Sequence, residues 1–228
     1  MDEAKNIKDY RDHELKSYVI GNLLIILLLS GPFDEIMAKD INSFASVFST
    51  VANILITSSI SYIFVFLLDS VIQGDVKFSI VYFPFGELPG KTIFSKMKND
   101  CKDMRFTEEE VLFQYKDIYT TLPEKQKDRK KYENSKWNNL YRKYEKKSRV
   151  FVANRDFLLC RDMTIMTAFL LGIYFFGIYG LHIFCFSWRI IAILVVEYII
   201  CNMATRGKGK KFAYNVIAED IFASQNKG

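Results

Sequence analysis

Residues 41–68 read INSFASVFSTVANILITSSISYIFVFLL and carry no charge across 28 positions. At about 1.5 Å of rise per residue, a helix of that length crosses a hydrocarbon core roughly 30 Å thick with some tilt. The stretch is not uniformly apolar. Ser43, Ser46, Thr50, Asn53, Thr57 and Ser61 recur at spacings of three and four, which puts them on one helical face. Phe48, Ile54, Ile56 and Phe64 occupy the rest of the surface. Lipid gives no reason for such a stripe. A closely packed partner helix does, and so does a water-filled path. Small hydroxylated residues more commonly serve the first purpose.

Working outward, the other apolar residues also fall in long blocks, the pattern of a membrane protein rather than of a globular domain. YVIGNLLIILLL, residues 18–29, ends at Ser30-Gly31-Pro32 and contains one strongly polar residue, Asn22. No positive leader precedes it and no small-x-small site follows, so it reads as a retained first span over about residues 15–33. A third block runs over residues 163–180 and a fourth over about 188–204, joined by the tight link 181–187. Between the second and third blocks lies an insert, residues 72–162, with 20 Lys or Arg against 14 Asp or Glu. The link between the first two blocks holds Asp34, Glu35, Lys39 and Asp40, and the tail opens with Arg206, Lys208, Lys210 and Lys211. Counting basic residues on either side gives one consistent topology. It has four spans, with the N-terminus (1–16), the insert (72–162) and the tail (206–228) in the cytoplasm and the span pairs at 17–71 and 163–205. In a bacterial cell that is a multi-pass protein of the inner membrane.

The predicted fold class is therefore all-α: four transmembrane helices with a mainly helical cytoplasmic insert between the second and third. Val76, Phe78, Ile80 and Tyr82 alternate with Lys77 and Ser79, which suggests one short strand. Pro84, Gly86, Pro89 and Gly90 enforce turns after it. Thr107 followed by three glutamates is a helix start with a capping box, and its apolar face is Leu112, Tyr115, Ile118, Tyr119 and Leu122 up to Pro123. A second helix from Glu124, with Trp137, Leu140, Tyr141, Tyr144, Ser148 and Phe151 on one face, is expected to merge with the third span near residues 154–161.

Glu197 is the sharpest single residue. It lies eight positions after Arg189 and nine before Arg206, which places it near mid-bilayer if those arginines mark the interfaces. A carboxylate there must face protein or water and have a partner. Asn53 and Thr57, at similar depth, are the expected partners. The pair serves either as an ion or proton path or as a structural polar clamp, and the clamp is the commoner use. Ser46, Thr50, Asn53, Thr57, Ser61 and Glu197 thus form the candidate intramembrane path or helix interface.

Outside the membrane, Lys130, Lys131, Arg142, Lys143, Lys146 and Lys147 are candidates for binding a partner. Arg206, Lys208, Lys210 and Lys211 are candidates for lipid headgroups, which attract basic residues by about 1 kcal/mol each. Direct contact with nucleic acid is not expected, because aromatic residues among lysines usually form a packed face beneath solvated charges. Gly172, Gly177 and Gly180 in the third block read as packing positions. The four cysteines have no CxxC spacing and read as unpaired. With two histidines in the chain and no HExxH or GxSxG motif, no metal, cofactor or catalytic set is expected.

The order of spans, with the segments FPFGELPGKTIF (83–94) and FVANRDFLLCRDM (151–163), resembles KwaA-like membrane subunits of the Kiwa anti-phage defence systems. The resemblance implies a homo-oligomeric assembly that senses infection at the envelope. It also implies a soluble, DNA-binding cytoplasmic partner of the KwaB type. Similar layouts occur in small membrane proteins that accompany RNA-guided nucleases and in membrane-disrupting abortive-infection effectors. The expected function is thus a non-enzymatic sensor or scaffold, with a depolarising pore as the alternative.

Overall fold

The computed structural model describes residues 2–29, 59, 63, 67, 70–82, 86–101, 103–182 and 184–225. Among these every regular element is helical: α1 (Asp2–Leu29), α2 (Gly74–Tyr82), a 3₁₀ turn (Pro89–Lys91), α3 (Ile93–Asn99), α4 (Glu108–Gln114), α5 (Lys116–Thr120), α6 (Gln126–Tyr144), α7 (Ser148–Tyr179) and α8 (Trp188–Gln225). Helices α7 and α8, of 32 and 38 residues, are long and apolar enough to cross a membrane. Only 17% of the most apolar window of α8 is buried, which is unlike the core helix of a globular domain. The uncharged stretch 41–68 lies outside the described residues except for Ser59, Ile63 and Leu67, which are helical and exposed.

The chain divides into two units, Met1–Val81 with Leu159–Met203, and Tyr82–Leu158 with Ala204–Gly228. Helices α7 and α8 contribute residues to both. The first unit packs α1 against α7 and α8 through rows that repeat every three or four residues. Leu15, Val19, Leu23 and Ile26 meet Met166, Leu170, Tyr174 and Ile178, with Ile190, Ile191 and Leu194 closing the cluster. In lipid such contacts gain from close packing rather than from water release, so small residues matter. Gly177 shows this, because a Cβ there would stand 2.2 Å from the Phe184 ring. Among the described residues, no side-chain or tertiary backbone atom approaches Gly172 in the same way. The hydroxyl of Tyr174 pins the link that follows α7. It donates to the Cys185 carbonyl at 2.9 Å and accepts from the Ser187 amide at 2.8 Å.

The expected strand at residues 76–82 is instead helix α2. Alternation over so short an apolar run does not separate the two conformations, and here tertiary partners favour the helix. The last carbonyls of a helix lack intrahelical donors. Tyr198 donates to the Ile80 carbonyl at 3.3 Å, and Asn202 donates to that of Val81 at 2.7 Å. Both donors lie on α8, far away in sequence.

In the second unit one local signal held and several did not. Thr107 caps α4 as a reciprocal box: its hydroxyl accepts from the Glu110 amide at 3.2 Å, while the Glu110 carboxylate accepts from the Thr107 amide at 2.7 Å. The expected apolar face is rotated, since Val111 and Tyr115 are buried whereas Leu112 is 38% exposed. The helix also breaks at Tyr115, the junction between α4 and α5. Helix α6 ends at Tyr144, and α7 begins afresh at Ser148; it is α7 that runs unbroken through residues 154–161 into the third apolar block. Ser148 is exposed, and Val150 rather than Phe151 turns inward.

The basic tail is not a separate appendage. From Ala204 onward, α8 belongs to the second unit and buries Phe212, Ala213, Tyr214, Val216, Ile217, Ala218 and Ile221. Phe212 meets the rings of Trp137, Tyr141 and Phe157, with centroids 5.3, 5.3 and 6.0 Å apart. The Trp137 indole N–H donates to the Ala213 carbonyl at 3.3 Å.

Candidate functional site

Two polar clusters stand out, one in each unit. In the first unit, Tyr18 and Asn22 on α1 meet Thr167 on α7 and Glu197 and Cys201 on α8. The Asn22 amide donates to Glu197 Oε1 at 3.1 Å and to the Tyr18 carbonyl at 3.2 Å. The Tyr18 hydroxyl lies 2.6 Å from Thr167 Oγ1 and 3.5 Å from Cys201 Sγ. Thr167, fully buried, also returns its hydroxyl to the Met163 carbonyl at 2.9 Å. Glu197 therefore has a partner, and among the described residues it is Asn22. The expected partners Asn53 and Thr57, and with them Ser46, Thr50 and Ser61, lie outside the described residues. Among the described residues, two oxygens of the pair remain without a donor, Glu197 Oε2 and Asn22 Oδ1. Nearby in the same unit, Arg161 pairs with Asp162 at 2.7 Å, and its guanidinium lies 5.4 Å from the centre of the Phe78 ring.

In the second unit, Asp220 gathers α4, α6 and α8. It is 4% exposed and accepts from Tyr115 at 3.1 Å, Gln114 at 3.1 Å, Tyr144 at 2.9 Å and Lys143 at 3.2 Å. Burial raises the Tyr115 and Tyr144 phenols, and hydrogen bonding to Asp220 adds to the rise. A carboxylate filled by four donors has no lone pair left for a substrate proton, so the cluster acts as a staple. Glu133, also buried, accepts from both the amide and the hydroxyl of Ser95 and so fastens α3 to α6. Asp103 and Arg105 form a forked pair, and the Arg105 guanidinium holds the Asp103 carboxyl below its usual range. Of these residues the sequence reading names only Lys143 as a site candidate, for partner binding. Asp220 sits in the tail, and its partners are separated from it by up to 106 residues.

The basic candidates sort into two classes. Lys130 is ion-paired with Glu87, and Lys143 is committed to Asp220. Lys131, Arg142, Lys146 and Lys147 are exposed on α6 and the turn after it. Of the four headgroup candidates, Lys208 pairs with Asp156 at 2.8 Å, and Asp156 also meets Arg155 at 2.9 Å. The Arg206 guanidinium lies 5.7 Å from the centre of the Tyr82 ring and Lys210 Nζ 5.8 Å from that of Tyr214. Lys211 is exposed. All four cysteines are free thiols.

Among the described residues, no group of three or more His, Cys, Asp or Glu is placed to hold a metal ion. Comparison with protein-family models, with curated proteins and with solved structures finds no match.

Proposed function

We propose that the chain is a non-enzymatic, four-span protein of the bacterial inner membrane that oligomerises and recruits a soluble partner. Its second unit faces the cytoplasm, and the partner meets the exposed basic side chains Lys131, Arg142, Lys146 and Lys147. Sorting of the six basic candidates is the observation that carries this reading. Lys130 and Lys143 are ion-paired within the unit, whereas these four are exposed on one helix and the turn after it and form no ion pair among the described residues. Clustered, exposed cations steer an acidic surface into place and fix its orientation. Together with the span order, this supports a sensor or scaffold of anti-phage defence, with a KwaB-like protein as the soluble partner.

Reversing these four charges together tests the proposal. The variant should insert and fold as wild type does, yet lose protection against phage and lose co-purification of the soluble protein encoded in the same locus. Retained protection with all four reversed would contradict it.

A second reading, a depolarising pore, draws on the two oxygens of Glu197 and Asn22 that lack a donor. A path for ions or protons would run past them, with the stripe from Ser46 to Ser61 as its other wall. The scaffold reading is preferred because Glu197 is tied to Asn22 beside a packed apolar cluster.

A further inference from the structure

A cleft of about 520 Å³ opens in the second unit between α3 and α8. That volume falls in the range used for small molecules, roughly 300–1,000 Å³. Arg206 and Lys210, one turn apart on α8, form one wall, and Lys96 of α3 adds a third cation. The lining also holds two carboxylates, Asp100 and Glu87, of which Glu87 is ion-paired with Lys130. The aromatic rings of Tyr82 and Tyr214 line the cleft beside Arg206 and Lys210.

The wall around Tyr82 is shaped by glycine. Gly86 has φ of 143°, a conformation that disfavours any side chain. A Cβ there would also stand 3.1 Å from Arg206 Nη1 and 3.2 Å from Tyr82 Cδ1. On the other side, a Cβ at Gly209 would stand 2.9 Å from the Tyr82 hydroxyl. That hydroxyl is buried and, among the described residues, has no hydrogen-bond partner. Burial pushes it up to about 12 against the opposing pull of Arg206, so it remains a proton donor at neutral pH. A buried donor without an acceptor is costly, and it is rare in a folded protein unless a ligand or solvent serves it.

We propose that this cleft binds an organic phosphate, a phosphate ester carried on a hydroxylated or amino-bearing body. Arg206, Lys210 and Lys96 take the phosphate oxygens, with the Tyr82 hydroxyl as a further donor. Asp100 and Asn99 accept from hydroxyl or amino groups of the body, and the tyrosine rings flank it. Such a molecule comes from one of two sources, a soluble nucleotide or a phospholipid headgroup.

The test uses the full chain with ATP in detergent, measured by calorimetry, and with phosphatidylglycerol in nanodiscs, measured by native mass spectrometry. Saturable ATP binding that falls about tenfold or more in both Lys96→Glu and Lys210→Glu assigns the soluble source. Retained phosphatidylglycerol that is lost in the same variants assigns the lipid. Tyr82→Phe removes only the unpartnered hydroxyl, so it should weaken the bound probe about tenfold while leaving the melting temperature without ligand unchanged or higher. Lys116→Glu, exposed and outside the cleft, should leave the binding of either probe unchanged. The proposal is overturned if neither probe binds at about 1 mM, or if binding is indifferent to Lys96→Glu and Lys210→Glu.

Discussion

Asp220 and Glu197 are both acidic residues among apolar neighbours, yet their surroundings ask opposite things of them. Asp220 is filled by donors from three helices. Asp220→Ala would leave the Tyr115 and Tyr144 hydroxyls without acceptors, at a cost of about 3 kcal/mol. Thermal unfolding of the purified chain should show the second unit melting well below wild type. Glu197 is half satisfied, because Oε1 accepts from Asn22 while Oε2 and Asn22 Oδ1 face no donor. Glu197→Gln keeps the acceptor and places an amide N–H where Oε2 stood. It should melt at or above the wild-type temperature. Glu197→Leu removes the acceptor of one Asn22 N–H, while the amide still donates to the Tyr18 carbonyl, and should cost about 1–3 kcal/mol. A Glu197→Gln variant that unfolds as readily as Glu197→Leu would show that the carboxylate itself is required.

At the scale of elements, what could be read from sequence followed the distance over which each signal acts. The capping box at Thr107 is complete within four residues, and it formed as expected. Helix α2 was misread because its decisive partners, Tyr198 and Asn202, lie more than 110 residues away. The same holds for Glu197: Asn22 stood out as the one strongly polar residue of its block, but depth alone favoured Asn53 and Thr57. The tail held a signal that was passed over. Phe212, Ala213, Val216, Ile217 and Ile221 recur at helical spacing directly after the basic run, which marks a packed helix rather than a free cationic end.

The tyrosines that join α4 and α6 to Asp220 give the second unit a pH limit. Tyr115 and Tyr144 are raised above their ordinary range, first by burial. A raised phenol favours the folded state fully below its unfolded value of about 10, and that contribution is lost as pH rises toward the folded value. Stability should therefore hold through neutral pH and decline from about pH 10 upward. Circular dichroism melts with a parallel tyrosinate absorbance at each pH would follow it. Tyrosinate appearing before any loss of helix would contradict the arrangement.

For the whole molecule, the apolar blocks and the charge balance indicate a membrane protein, and α7 and α8 have the length and composition to span. The four-span count and the cytoplasmic side of the second unit are part of the proposal and rest on hydropathy and charge patterning, since residues 41–68 lie largely outside the described set. The helical class and the two long apolar helices were legible because hydropathy acts over whole segments. The chemistry of the second unit was not, because Asp220, Glu133 and the Tyr82 cleft are assembled from distant parts of the chain.

The choice between scaffold and pore is the central claim, and membrane potential tests it most directly. A voltage-sensitive dye would be read in bacteria expressing the chain alone, with wild type beside Glu197→Gln and Asn53→Leu at equal protein level. The scaffold account predicts an unchanged potential in all three. A collapse of potential in wild type, suppressed by either substitution, would contradict it and make the polar stripe and Glu197 the lining of a pore.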